Sequence, residues 1–178
     1  MSDEKKSEIS EISETAETPE TPETEETQES QYKIPDDSNS WSLAERIAWH
    51  IMEKKGEDVL VLDLRGRSDV CDFFVVASGK TNNQVQAIAR HVNTMLAGIG
   101  QKPKGIEGQD QGRWSLLDYF DVVVHVFVEE AREYFQIERL WADGMRLDVT
   151  PEYYEDEAVQ ARHPDVNFTT AGGPSVNG

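Results

Sequence analysis

The chain has 178 residues, room for one domain of ordinary size with flanking segments, and its formal net charge at pH 7 is −18. This acidic balance argues against a nucleic-acid binder, which concentrates Lys and Arg on one face to replace phosphate counterions. A single cysteine, Cys71, excludes an internal disulfide and a cysteine-rich zinc site, so we interpret it as a small apolar residue.

The first 40 residues repeat Glu, Thr and Pro, with 13 acidic against 3 basic side chains. Because so few apolar groups cannot offset the entropy of ordering the backbone, residues 1–40 are predicted to be a disordered acidic tail. The tail has neither the basic character of an organelle-targeting peptide nor the apolar core of a secretory signal. No run of about 18 apolar residues that could span a bilayer exists, and we expect a cytoplasmic protein.

A helix and two strands are predicted next. One helical face carries Trp41, Ala44, Ile47, Ala48 and Ile51. Gly56 is well placed to end this helix. Residues 59–64 (VLVLDL) and 73–77 (FFVVA) are short runs rich in β-branched and aromatic side chains, which is typical of buried strands.

A second helix is predicted to begin at residues 81–84 (TNNQ), a capping box in which the Thr and Gln side chains satisfy backbone N–H groups. It ends at Gly98 or Gly100. Its apolar face carries Val85, Ile88, Ala89, Val92, Leu96 and Ile99. Residues 103–107 add a short strand.

The stretch from residue 112 to 143 predicts a hairpin followed by a helix. Residues 114–117 and 122–127 are apolar strand runs joined by a tight turn. After Val128 the spacing becomes helical, and Glu129 and Glu130 lie where the positive end of a helix favours them. The apolar face of this helix is predicted to carry Tyr134, Phe135, Ile137, Leu140 and Trp141.

These elements predict an α/β fold, a mixed sheet sandwiched by helices. The folded domain is predicted to span residues 41–148. Residues 149–178 are predicted to be a flexible acidic tail. Within it, residues 151–178 hold 5 acidic side chains and 1 basic one. Whether Tyr153 and Tyr154 form a helix that folds back onto the domain is left open.

No catalytic constellation emerges. Asp118 and Asp121 are three residues apart across a turn, so they do not share a strand face as metal-binding carboxylates would, and we interpret them as turn residues. The GKT at 79–81 lacks the earlier glycine of a phosphate-binding loop, because that position is Phe74 in a strand. The four histidines show no metal spacing, and His125, flanked by valines, is interpreted as a neutral imidazole within a sheet.

Four stretches carry a resemblance to a known family. They are residues 72–85 (DFFVVASGKTNNQV), 106–108 (IEG), 112–127 (GRWSLLDYFDVVVHVF) and 129–141 (EEAREYFQIERLW). Together they resemble the ribosomal silencing factors, also called Iojap or RsfS, over most of residues 41–148 and neither tail. Phe120 departs from the pattern, because the family commonly has Gly in the turn.

The resemblance implies a nucleotidyltransferase-like scaffold without catalytic acids, no enzymatic activity and no cofactor. It implies binding to the large ribosomal subunit through ribosomal protein number fourteen, which blocks joining of the small subunit and represses translation when nutrients are scarce. The partner-binding residues that it implies are Trp114 and Tyr119, with charged positions nearby at Asp121, Arg132, Glu133, Glu138 and Arg139. Trp114 is expected to lie partly in the core. No membrane or sequence-specific nucleic-acid contact is expected.

Two other functions stay open from the sequence. One is a metal-dependent nucleotidyltransferase acting through Asp118 and Asp121, and the other is a large-subunit maturation factor. A homodimer formed through an exposed sheet edge also stays open.

Overall fold

The structure, a computed structural model, describes residues 39–169. In chain order the elements are α1 (Asn39–Glu53), β1 (Glu57–Asp63), β2 (Phe73–Gly79), α2 (Asn82–Gly98), β3 (Gly105–Glu107), β4 (Trp114–Asp118), β5 (Val122–Val128), α3 (Glu129–Phe135), a 3-10 helix (Ile137–Trp141), β6 (Met145–Asp148), a second 3-10 helix (Pro151–Glu155) and α4 (Glu157–Arg162). The predicted α/β class and the predicted order of elements up to α3 are confirmed. Within this range no helix is both long and apolar enough to cross a membrane.

The strands form one six-stranded mixed sheet in the order β3-β4-β5-β2-β1-β6. β2 and β5 are parallel, with Val75 opposite Val124, and the other neighbouring pairs are antiparallel. The predicted hairpin is confirmed, because β4 pairs with β5 from Trp114 opposite Phe127 to Asp118 opposite Val123. Strand β6, which the sequence analysis missed, is a short edge strand with three of its four residues outside the core.

Helices cover the two faces of the sheet unequally. α1 and α2 pack over β1, β2, β4 and β5 on one face. α3 packs on β5 and β2, and the 3-10 helix that follows it places Trp141 against Phe74 of β2 on the opposite face. Because β5 lies near the centre, all seven of its residues are buried. The second face is left partly open, and Trp114 and Leu116 of β4 are only half-buried there.

The predicted capping box begins α2. The Thr81 hydroxyl accepts the Gln84 N–H at 3.2 Å, and the Gln84 side-chain oxygen accepts the Lys80 N–H at 2.8 Å. The Gln84 side-chain nitrogen also donates to the carbonyl oxygens of Lys54 and Lys55, just past the end of α1. One glutamine therefore caps α2 and holds it to the end of α1.

The helix predicted after Val128 is broken, and this part of the prediction is wrong. α3 ends at Phe135, Gln136 adopts a left-handed conformation with φ 44° and ψ 45°, and a 3-10 helix follows. Ile137 is buried as predicted, but Tyr134 and Leu140 are 80% and 76% exposed. The left-handed residue turns the chain, so side chains before and after it do not share one buried face.

The C-terminal boundary also differs from the prediction. Residues 149–169 are not a flexible tail, because the second 3-10 helix and α4 pack onto α1 and bury Tyr154, Val159 and His163. Glu45 of α1 contributes to this packing, because its carboxylate is only 1% exposed and needs hydrogen-bond partners. Its carboxylate accepts hydrogen bonds from Tyr153, Arg162 and His163. Of the predicted tails at residues 1–40 and 149–178, residues 1–38 and 170–178 lie outside the described part of the chain. α1 begins two residues before the predicted start of the domain.

Candidate functional site

Trp114 lies at the start of β4 on the partly open face of the sheet. Its ring stacks on Phe127 with centroids 5.0 Å apart and contacts Phe135 of α3 at 4.8 Å. Its indole N–H donates to Nδ1 of His125 at 3.2 Å. Trp114 is half-buried, so the expectation that it belongs partly to the core is confirmed.

His125 of β5 is the buried partner of this tryptophan. It is 5% exposed and packs edge-on against Phe74 with ring centroids 4.7 Å apart. Burial lowers the pKa of His125 to about 4, and the nearby Glu138 carboxylate offsets this only in part. The imidazole is therefore neutral at pH 7, as predicted. Because Nδ1 accepts from Trp114, the proton lies on Nε2, which has no hydrogen-bond partner within residues 39–169.

A continuous series of aromatic rings crosses this face. Tyr134 contacts Phe135 at 5.0 Å, Phe135 contacts Trp114, and Trp114 lies 5.8 Å from His125. Tyr134 and Phe135 are 80% and 45% exposed. We call Trp114, Tyr134 and Phe135 the aromatic patch. A cavity of about 460 Å³ adjoins it and is lined also by Gly108, Gln111, Arg113 and Ala131.

Arg132 and Glu138 lie close together, but they bind each other. Arg132 Nε donates to the Glu138 carboxylate at 2.6 Å. Its Nη1 donates at 2.9 Å both to the Ser78 hydroxyl and to the carbonyl oxygen of Asp58. The arginine therefore joins α3, the following 3-10 helix and the sheet. Glu133 and Arg139, the other predicted charged positions in this region, are exposed.

Tyr119 is not on the surface that the sequence analysis assigned to it. It is 4% exposed, and burial raises its pKa to about 12. Its N–H pairs with Val122 O at 2.9 Å, so the strand pattern continues past the end of β4. Because successive strand side chains alternate between faces, a residue five positions after Trp114 lies on the opposite face, which α1 and α2 cover. The spacing alone could have shown this.

Asp121 is exposed but lies at the far end of the hairpin from Trp114. Its backbone carbonyl accepts from Asp72 and Phe73. Asp118 behaves as predicted for a turn residue, since its carboxylate accepts the Phe120 N–H at 2.8 Å. Within residues 39–169, one group of three metal-ligating side chains converges, and it consists of His50, Glu53 and His91. Asp118 and Asp121 do not belong to it.

Lys80 and Cys71 were also singled out in the sequence. Lys80 of the GKT segment is paired with Glu57 at 2.9 Å. Cys71 is 6% exposed, and burial, with nearby Asp72 and Asp118, raises the pKa of its thiol to about 11, which agrees with its interpretation as a small apolar residue. The exposure of Tyr134 and Phe135 was not predicted from the sequence. Their adjacency was the available signal, because consecutive helical residues point about 100° apart and rarely share a buried face.

The comparisons with known proteins agree with one another. A family model described as "Ribosomal silencing factor during starvation" matches residues 35–172, including the C-terminal segment that packs on α1. A relative named ribosomal silencing factor RsfS from Bacillus subtilis is 43% identical over 97 residues, 54% of this chain and 82% of the relative. A crystal structure from Chromobacterium violaceum has 37% identity and a TM-score of 0.53, covering 56% of this chain and 83% of its own. One from Bacillus halodurans has 37% identity and a TM-score of 0.52, covering 58% and 95%.

Proposed function

Because the chain belongs to the ribosomal silencing factor family, we propose that it binds the large ribosomal subunit through the aromatic patch and thereby prevents the small subunit from joining. The partner that the family resemblance suggests is ribosomal protein number fourteen of the large subunit. Translation would fall as free subunits fail to pair, in the cytoplasm of a cell short of nutrients. The proposed role is regulatory and needs no catalytic group.

The observation that carries this proposal is the exposure of large aromatic side chains at one place. Tyrosine and tryptophan are the side chains that most often dominate the affinity of protein interfaces, because they bury much area with few rotatable bonds. Tyr134 leaves 80% of its surface in solvent, and Phe135 leaves 45%. The exposed Leu140 is carried by the 3-10 helix that follows α3.

Charge near the patch favours a basic protein partner. The solvent side of α3 presents Glu129, Glu130 and Glu133, all exposed, next to Tyr134. Ribosomal proteins are commonly basic, so these carboxylates would steer the encounter and add complementarity at the rim of the contact. Of the predicted charged positions near the patch, Glu133 and Arg139 are exposed and can contact a partner. Arg132 and Glu138 are instead bonded to each other.

The proposed mechanism is tested by subunit joining, followed by light scattering of purified subunits after magnesium is raised. Incubating the large subunit with saturating protein first should suppress the rise in scattering. In the control, the same amount of protein is incubated with small subunits and is then diluted below its dissociation constant for the large subunit before large subunits are added. Joining should then be unaffected. Full joining of large subunits that demonstrably carry the protein would remove the steric mechanism while leaving binding in place.

The acidic N-terminal tail belongs to the same proposal, whereas the five acidic side chains of the predicted C-terminal tail all lie between residues 152 and 165, within the described fold. Residues 1–40 carry 13 acidic and 3 basic side chains, which would repel the RNA of an approaching small subunit. A chain lacking residues 1–38 and 170–178 keeps every element of the described fold and is therefore the appropriate comparison. We expect weaker inhibition at equal occupancy, most visibly at low salt. Unchanged inhibition would remove the tail from the mechanism.

A further inference from the structure

Three metal-ligating side chains meet between α1 and α2, away from the aromatic patch. His50 and Glu53 are three residues apart on α1, so they share a helical face, and His91 reaches them from α2. Glu53 Oε2 lies 2.7 Å from His50 Nδ1 and 2.9 Å from His91 Nε2. All three ligand atoms lie within 4.8 Å of one another.

These side chains are held on rigid elements. α1 and α2 pack directly on each other, and the Gln84 side chain joins the start of α2 to the carbonyl groups that follow α1. The His50 side chain is 5% exposed, while Glu53 and His91 are 22% and 19% exposed. The three side chains are therefore carried by two packed helices, and the partial exposure of Glu53 and His91 leaves the cluster accessible from solvent.

The donor set and its dimensions fit a small borderline cation. Two imidazole nitrogens and one carboxylate oxygen, with a fourth position open, are the ligands of many three-residue zinc sites. Tetrahedral bonds of about 2.0–2.1 Å require neighbouring ligand atoms about 3.3 Å apart. The separations of 2.7 and 2.9 Å must each lengthen by about half an ångström, and the third, no more than 4.8 Å, must shorten by at most about 1.5 Å, changes within reach of side-chain rotation.

We propose that His50, Glu53 and His91 form a binding site for one divalent transition-metal ion of the zinc class. The ion would join α1 to α2 and stabilise the helix pair. These helices cover the sheet face opposite the aromatic patch, so a metal ion bound between them does not block the patch. Metal binding and ribosome binding are consequently separable, and failure of one does not imply failure of the other.

The alternative is a carboxylate that accepts hydrogen bonds from two imidazoles and binds no metal. In that arrangement the protons lie on His50 Nδ1 and His91 Nε2. Metal binding requires the opposite tautomers, with these nitrogens offering lone pairs to the ion. The two states differ in an observable way, since only the metal site places two nitrogens and one oxygen around a bound cobalt ion.

The test is titration of the chelator-treated full chain with ZnCl₂ by calorimetry and with CoCl₂ by visible absorption. The carboxylates of the acidic tail would also attract cations, so the readout is the difference between the wild type and His91→Gln or Glu53→Gln, with Glu107→Gln as the control that removes an exposed carboxylate elsewhere. We expect one zinc site and a tetrahedral cobalt spectrum in the wild type and the control. Both should be lost, or weakened at least tenfold, in the two site variants.

Circular dichroism of each variant verifies that it is folded, and the two site variants replace different groups on different helices. Equal zinc stoichiometry and affinity in all four proteins would assign the binding to the tail and overturn the proposal. Absence of a one-to-one zinc site in the wild type would overturn it as well, leaving the hydrogen-bonded carboxylate.

Discussion

Acid should destabilise this domain through His125 before its carboxylates titrate. The pKa of His125 falls from 6.5 to about 4 on burial, so between these two pH values the unfolded chain takes up a proton that the folded chain refuses. The free energy of unfolding therefore falls as the pH falls through this window. At about 1.4 kcal/mol per pH unit, the full loss is on the order of 3 kcal/mol.

The groups around His125 explain why the folded state refuses the proton. Trp114 donates to Nδ1, and the rings of Phe74 and Phe127 pack against the imidazole. Glu138 is the charged group that favours the protonated form, and it is already paired with Arg132. Nothing else around the ring compensates a buried positive charge in the part of the chain that the structure describes.

The assay is urea unfolding from pH 7 to pH 4.5 on the wild type and His125→Asn. The variant lacks the titrating group, so its stability should change less with pH, with a difference in slope approaching 1.4 kcal/mol per unit near pH 5. The comparison is made on slopes because the substitution also lowers stability at pH 7. Parallel pH profiles for the two proteins would refute the burial argument.

Three further substitutions test particular contacts by urea unfolding. Glu45→Gln should cost about 3 kcal/mol, because it leaves Arg162 and His163 around a neutral amide in a buried site, and wild-type stability would contradict this. Phe120→Gly should add up to about 1 kcal/mol, since Phe120 is 60% exposed and held at φ 67°; a loss would mean its ring makes contacts that matter. Tyr119→Phe should leave stability unchanged or slightly raised, because its buried hydroxyl has no partner within residues 39–169, and should leave large-subunit binding intact; weaker binding would return Tyr119 to the interface.

Elements with a strong local signal were predictable from the sequence. The run at residues 122–127 and the Thr81 to Gln84 capping box specify a strand and a helix start by themselves, and both are present. α3 was predicted too long because the left-handed Gln136 has no sequence signal: the residue is neither Gly nor Asn. β6 was missed because an edge strand needs little burial to form.

Contacts between distant residues set the limit of prediction. The composition of residues 149–169 is that of a polar tail. Their packing depends on hydrogen bonds from Tyr153, Arg162 and His163 to Glu45, more than 100 positions earlier in the chain. His50 and His91 show no metal spacing along the chain, yet α1 and α2 bring them to one carboxylate. For the proposed surface, the sequence analysis named Trp114 together with Tyr119, which is buried, and did not single out Tyr134, which is 80% exposed.

Trp114 itself is a poor probe of the interface. Trp114→Ala removes a stack on Phe127 and the hydrogen bond to His125, so a loss of binding could follow from a loss of packing. Tyr134 and Leu140 are 80% and 76% exposed and can be truncated at little cost to the fold. Val70, 83% exposed in the connection between β1 and β2, supplies a matched apolar control.

The most direct measurement is the affinity of purified large subunits for the wild type, the double variant Tyr134→Ala/Leu140→Ala and the control Val70→Ala, by co-sedimentation at fixed salt. Loss of a central aromatic anchor typically costs about 2 kcal/mol, so the double variant should bind more than tenfold more weakly, with the control matching the wild type. The free energies of unfolding of the three proteins, measured by urea denaturation, should agree within about 0.5 kcal/mol. A double variant that sediments with large subunits as the wild type does would contradict the assignment of this face to the ribosome.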